Sequence, residues 1–383
     1  MRVITQTADL ADFCAALAEA PFVAIDTEFM RESTYWPKLC LVQAAAPDHE
    51  AVIDPQSPGL DLTPLLALLT DAAPVKVFHA ARQDLEIFFK LAGRLPAPVF
   101  DTQVAAMAAG LGDSIAYDAL VQATLKRRID KSSRFTDWSR RPLSEAQLAY
   151  ALADVTHLRD LYPKLRDGLE RRGRLSWIDD EIAGLLDPEI YDTTPENAWR
   201  RLKLRKHASD YIVALQVAAA WREQMAQARD VPRGRILKDD ALHEIAEQRP
   251  RTAQAFDRLR AVPRGFGGSR MGADLAKALD SALSDPARMQ IKIDRPPSTP
   301  AGIGPTLEML KVLLRLEAER HEVAPRLIAN AADLEAIAID DTADVPALHG
   351  WRREIFGARA LDLKQGRIGL RLVNGRVEIA DFN

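Results

Sequence analysis

The chain has 383 residues, 47% hydrophobic and 28% charged, with a net charge of −4, and at about two to three ordinary domain lengths it reads as a multidomain globular protein. No apolar run approaches the roughly 20 residues of a membrane span, the opening MRVITQTADLADF acquires acids too early to be expected as a signal peptide, and Cys14 and Cys40 lack metal-binding spacing. A membrane-spanning helix, a disulfide framework and a structural zinc site are therefore not expected, and the expected location is cytoplasmic.

Residues 1 to about 170 alternate between strand-like and helix-like stretches. PFVAIDTEF, KLCLVQAA, EAVIDP and VKVFHA read as strands; DLTPLLALLTDA, ARQDLEIFFKLAG and SEAQLAYALADVTHLRDLYPKL read as helices. Consecutive strands followed by strands alternating with helices predict a mixed sheet with flanking helices, an α/β domain. From about residue 172 strand signals nearly vanish. The rest reads as helical, with breaks at DVPRGR, AVPRGFGG and DRPPSTPAGIGP, the last a linker by its Pro/Gly/Ser content. Within this half Val231, Ile236, Leu242, Ile245 and Ala246 match Val323, Ile328, Leu334, Ile337 and Ala338, each 92 residues further on. An amphipathic helix precedes both copies, which predicts two tandem helical modules. The expected division is a domain over 1–170, a helical connector over 171–206, modules over 207–290 and 306–383, and a linker over 291–305.

Two runs are locally basic in this acidic chain: KRRIDKSSRFTDWSRR at 126–141 and RRLKLRK at 200–206. Each is compatible with a solvated face; together they are equally compatible with tracking a phosphate backbone.

Charge also occurs where a core strand ends. On a strand, residues i and i+2 share a face, so Asp26 and Glu28 in FVAIDTEFM project together. Two adjacent carboxylates repel, and their oxygen ligands suit Mg²⁺ or Mn²⁺; the alternative is a strand end hydrated by solvent. Asp84 lies in the first turn of the helix after VKVFHA, where an acid also complements the helix dipole. In SEAQLAYALADV, Ser144 and Gln147 form a capping box. Tyr150 and Asp154, four residues apart, share a helical face, which an ordinary hydrogen-bonded pair also explains.

The ordered set of DTE on a first strand, Asp after a later strand and Tyr-x-x-x-Asp on a late helix resembles the 3′→5′ exonuclease superfamily named DEDDy for four acids and a tyrosine. FVAIDTEFMRESTYWPKLCLVQ, FHAARQDLEIF, FDTQVAA and DKSSRFTDWSRRPLSEAQLAYALADV are similar to ribonuclease D, and the helical half resembles a pair of HRDC modules. The second is the more divergent, with Ala324 where the first has Pro232. The resemblance implies a ribonuclease H-like fold followed by two all-α modules. It also implies a site in which Asp26, Glu28, Asp84 and Asp154 hold two divalent ions, Mg²⁺ or Mn²⁺. Tyr150 would orient water, since a phenol with a pKa of ~10 is a poor base at neutral pH. The implied substrate is RNA with a free 3′ end, such as tRNA precursors, releasing nucleoside 5′-monophosphates. Lys131, Arg134 and Trp138, in the loop before the Tyr/Asp helix, are candidates to guide the strand, Trp138 being equally a candidate loop anchor. His79 and Arg82 are further candidates for RNA contact. Asp101 in VFDTQVAA stands where a helix cap belongs and reads as structural. Two rivals remain at this point: a DNA exonuclease of the same superfamily, and a non-catalytic RNA-binding protein that keeps the fold. No G-x-x-x-x-G-K-[ST] loop accompanies the site.

Overall fold

In the computed structural model, which describes residues 1–71, 73–130, 132–133, 136–293, 300 and 302–382, the chain divides into two units. One comprises residues 1–28, 40–187 and 299–383, the other residues 29–39 and 188–298.

The first unit carries a sheet of β1 (Val3–Ile4), β2 (Phe22–Met30), β3 (Lys38–Ala45), β4 (Glu50–Ile53), β5 (Val75–Phe78) and β6 (Val99–Asp101), in the order β1-β4-β3-β2-β5-β6. β3 and β4 are antiparallel, whereas β5 runs parallel to both β2 and β6, giving the mixed sheet expected. β2 is flanked on both sides, which is why Phe22 to Ile25 form an unbroken apolar run. The register pairs Ala24 with Val77, so Asp26 lies just beyond the level at which β5 ends at Phe78; β2 itself runs on to Met30, so the two acids sit within the strand and not at its end as the sequence suggests. Around the sheet lie α1 (Thr7–Ala18), α2 (Thr63–Thr70), α3 (Arg82–Ala92), α4 (Thr102–Ala108), α5 (Tyr117–Leu125), α6 (Glu145–Arg171) and α7 (Asp179–Leu185). α6 begins at the expected capping box: Gln147 N–H donates to Ser144 Oγ at 3.2 Å and Ser144 N–H donates to Gln147 Oε1 at 3.0 Å.

The second unit is helical: α8 (Ser209–Arg229), α9 (Arg233–Ile236), α10 (Asp239–Gln248), α11 (Ala253–Phe256) and α12 (Arg270–Leu283). Residues 29–39, read from sequence as part of the first domain, belong to it. Tyr35 is 5% exposed among the apolar residues of α8 and α10. Its hydroxyl donates to Glu223, itself 1% exposed, and Arg233 pairs with both Glu223 oxygens at 2.5 Å. Burial pushes the Glu223 carboxyl up, but the hydrogen bonds from Arg233 and Tyr35 outweigh it and hold the group below its usual range. A buried pair of this kind adds little net stability, yet losing one partner is costly.

The remaining helices are α13 (Ile303–Arg320), α14 (Pro325–Ile328), α15 (Ala331–Ile339), α16 (Gly350–Arg352), continued by a π-helical turn at Arg353–Gly357, and α17 (Ala358–Lys364). α14 follows α13 as α9 follows α8, and begins 92 residues after α9. Residues 306–383, expected as a module of their own, lie in the first unit. Leu310, Leu313, Ile328, Ile337 and Phe356 share one core with Val104, Leu120, Val155 and Leu158. Ala324 N–H donates to the Met107 carbonyl at 2.9 Å, and Arg174 donates to the carbonyls of Ala108, His321 and Glu322. The backbones approach so closely that a Cβ on Gly110, which has φ +78°, would lie 2.5 Å from the Glu322 oxygen. The chain ends in a hairpin, β7 (Ile368–Val373) and β8 (Arg376–Asp381), which corrects the all-helical reading of this half. Of the linker expected over 291–305, residues 294–299 and 301 lie outside those described, and α13 already begins at Ile303. No helix among the described residues is long and apolar enough to cross a membrane.

Candidate active site

The alternation along β2 sets up the site. Asp26 and Glu28 are half-buried and Thr27 between them is buried, so the two carboxylates share a face while the hydroxyl projects from the other. α6 brings a third carboxylate, Asp154, 7% exposed, and carboxylate oxygens of Asp26, Glu28 and Asp154 lie within 4.8 Å of one another. Asp84, in the first turn of α3, is 7% exposed and accepts a 2.5 Å hydrogen bond from Thr27 Oγ1. It stands outside that set of three but close enough to Asp26 for the two charges to interact.

Burial pushes the Asp26 carboxyl up to about 6, against a backbone hydrogen bond at Thr27. Asp84 is raised well above the usual carboxylate range, first by burial and then by the charge of Asp26, with the Thr27 hydroxyl opposing. Asp26, Glu28, Asp154 and Tyr150 border a cleft of about 440 Å³, of which Asp84 is not a lining residue, and no Lys or Arg is among its described lining residues. Carboxylates gathered this closely repel one another. An all-oxygen donor set of this kind fits a hard divalent cation, and the residues present match that requirement.

Tyr150 sits one turn before Asp154 on α6 and lines the cleft. Its ring lies 6.1 Å from that of Trp138. Trp138 is 3% exposed, so it anchors the loop and backs Tyr150 rather than offering a face to RNA; its indole N–H has no hydrogen-bond partner among the described residues. His79 lines the cleft, with Nδ1 3.0 Å from Thr102 Oγ1. Burial lowers its imidazole pKa, against the opposing pull of Asp101, so it is present as the neutral ring at pH 7. Arg82 is exposed at the start of α3 and is not a lining residue. Lys131 and Arg134 lie outside the described residues. Asp101 caps α4, accepting from Gln103 N–H at 2.7 Å, and also receives the Ala80 and Ala81 N–H groups.

Several charges of the two basic runs are already engaged. Arg127 meets Asp160 at 2.5 Å, and Arg141 clamps Asp54 through two 2.7 Å bonds and the Cys40 carbonyl through another. Arg205 and Lys206 pair with Asp240 and Glu247.

Tyr117 and Asp118, at the start of α5, line the cleft and were missed from sequence. The Tyr117 hydroxyl donates to the Asp154 backbone carbonyl. Burial, then the charges of Asp154 and Asp26, push its pKa well above the phenolic range, so it remains a donor. A tyrosine opening an amphipathic helix carries no local mark of such a role.

A family model described as 3′-5′ exonuclease matches residues 1–170, and one described as HRDC domain matches residues 213–279. Together with the carboxylate cluster, this defines a 3′-5′ exonuclease of the DEDD superfamily, whose members depend on divalent metal. A ribonuclease D of Nitrobacter hamburgensis is 52% identical over 377 residues, covering 98% of each chain. One of Granulibacter bethesdensis is 49% identical over 378 residues, 98% of this chain and 96% of that one. The crystal structure of Escherichia coli RNase D, described as an exoribonuclease involved in structured RNA processing, aligns with a TM-score of 0.81 at 29% identity, covering 95% of this chain and 98% of that one. The chain belongs to the ribonuclease D family of 3′-5′ exoribonucleases.

Proposed function

We propose that this exoribonuclease trims the 3′ ends of structured RNAs such as tRNA precursors, releasing nucleoside 5′-monophosphates, with Asp26, Glu28, Asp84 and Asp154 holding two ions of Mg²⁺ or Mn²⁺. The observation that carries the reading is the convergence of Asp26, Glu28 and Asp154 within 4.8 Å in a cleft with no Lys or Arg among its described lining residues. When bound, two such ions lower the pKa of a water and neutralise charge on the scissile phosphate and leaving oxygen. The chain's own part is to place donors: Asp26, Glu28, Asp154 and Asp84 would hold the ions, the first three from one cluster and Asp84 from beside Asp26. Tyr150 directs its phenol at the attacking water and Trp138 steadies its ring. His79, neutral, and Tyr117 border the 3′-terminal nucleotide. The body of the RNA is held by the HRDC domain and by residues 303–364, which we read as a second such domain because α14 repeats α9 at the same spacing. A cytoplasmic location, where RNA precursors are available, belongs to the same reading.

The test is digestion of a 3′-extended tRNA beside an unstructured oligomer of matched length, with Mg²⁺ and Mn²⁺ compared and matched DNA as control. Trimming of the tRNA extension at a kcat/KM at least equal to that of the oligomer supports the substrate assignment. Digestion confined to the oligomer, or faster on DNA, contradicts it.

A further inference from the structure

We propose that Thr27 is a positioning residue for the reaction: its hydroxyl fixes the Asp84 carboxylate so that one oxygen remains directed toward Asp26 for a divalent cation. The proposal rests on the reading of Asp84 as a metal ligand and assigns the group that makes it one.

Thr27 shares its face of β2 with Val23 and Ile25, which are 0% and 1% exposed, and it is itself 6% exposed. On such a face valine would pack as the isostere without bringing a hydroxyl that must be satisfied. The Thr27 hydroxyl is satisfied by donating to Asp84 Oδ1. Among the described residues this is the one side-chain hydrogen bond that Asp84 accepts. Asp26, Glu28 and Asp154 already stand together, whereas Asp84 comes from α3, outside that set, and Thr27 is the side chain that donates to it. A hydroxyl has one proton to give, and giving it to Oδ1 sets the rotation of the carboxylate and leaves Oδ2 for the site. Partners of this kind behind a metal ligand typically contribute 10- to 100-fold to affinity or activity.

Three variants test this: Thr27→Val, which keeps the shape and loses the hydroxyl, Thr27→Ser, which keeps the hydroxyl and loses the methyl group, and Asp84→Asn. Mn²⁺ binding to RNA-free protein is followed by equilibrium titration with electron paramagnetic resonance, and kcat and KM are measured on a short 5′-labelled oligoribonucleotide. Circular dichroism checks the fold, and Thr27→Ala replaces the valine variant if that one does not fold. The expected result for Thr27→Val is a 10- to 100-fold weaker affinity for the second Mn²⁺, a lower kcat that recovers in part at high Mn²⁺, and a KM within about twofold of wild type. Thr27→Ser stays within a few-fold of wild type on every measure. Wild-type Mn²⁺ stoichiometry and affinity in Thr27→Val, beside a defective Asp84→Asn, overturns the positioning role and leaves the metal reading standing. Equal losses in the valine and serine variants overturn it in favour of packing. If Asp84→Asn keeps both Mn²⁺ ions and full turnover, the metal reading of Asp84 falls, and this proposal with it.

Discussion

Asp26→Asn is expected to inactivate the enzyme and, in the absence of metal, to stabilise it. In the folded protein burial lifts the Asp26 carboxyl from its ordinary 3.8 to about 6. At 1.36 kcal/mol per unit, keeping that group ionised at pH 7 costs the metal-free fold roughly 3 kcal/mol. Asparagine has a similar shape and no charge, so the variant recovers up to that amount. At about 2–4 °C per kcal/mol for domains of 150–250 residues, the rise in Tm reaches roughly 6–12 °C at most. The pH dependence follows from the direction of the shift. The folded state holds its proton to a higher pH, so between about pH 4 and 6 the unfolded chain binds fewer protons, and stability from this group rises as pH falls through that window. Thermal melts in EDTA should therefore separate variant from wild type at pH 7 and bring them together near pH 4. Saturating Mg²⁺ should close the gap from the other side, because wild type gains the free energy of binding and the variant loses most of it. An Asn variant that melts below wild type at pH 7 in EDTA refutes the reasoning: Asp26 would then be held by favourable native bonds, not by repulsion awaiting a cation.

Tyr150→Phe keeps the ring against Trp138 and removes the hydroxyl, so kcat should fall about 10²-fold or more with Mn²⁺ affinity unchanged; a collapse of metal binding with normal turnover at saturating metal would place Tyr150 in the scaffold instead. Removing residues 299–383 uncovers a core face that includes Leu158, in the cleft wall. The truncated chain is expected to aggregate, and a soluble monomer with wild-type kcat on a short oligomer would contradict the shared core. In the second unit, Tyr35→Phe leaves the Glu223 ion pair one donor short and should cost about 1–3 kcal/mol, read as a lower urea midpoint; an unchanged midpoint would show that the Arg233 bonds suffice.

The parts of the site legible in sequence were those whose spacing is itself the signal. Asp26 and Glu28 share a face because strands repeat every two residues, and Tyr150 and Asp154 share one because helices bring i and i+4 together. Asp84 carried no such mark, since an acid in a first helical turn has an ordinary explanation, and it was included through the family resemblance. What escaped depends on distant partners: Tyr117 matters through the Asp154 carbonyl, and Tyr35 through Glu223, a residue of α8 far along the chain. Trp138 could be weighed as anchor or contact, but its burial decides between them. The final hairpin did leave a trace. Asn374 and Gly375, both at positive φ, join alternating stretches in IGLRLVNGRVEIAD, the signal of a two-residue turn.

The central claim, that the clustered carboxylates make this chain a metal-dependent 3′-5′ exoribonuclease, is tested most directly by one digestion. A 5′-labelled single-stranded oligoribonucleotide is incubated with wild-type protein and with Asp154→Asn, in Mg²⁺ and in EDTA, beside the same oligomer carrying a 3′-phosphate block. Wild type in Mg²⁺ should yield a ladder shortened one nucleotide at a time from the 3′ end, with nucleoside 5′-monophosphates as products; EDTA, the blocked end and the variant should each abolish it. Internal cuts, cleavage that persists in EDTA, or an Asp154→Asn ladder matching wild type would contradict the account.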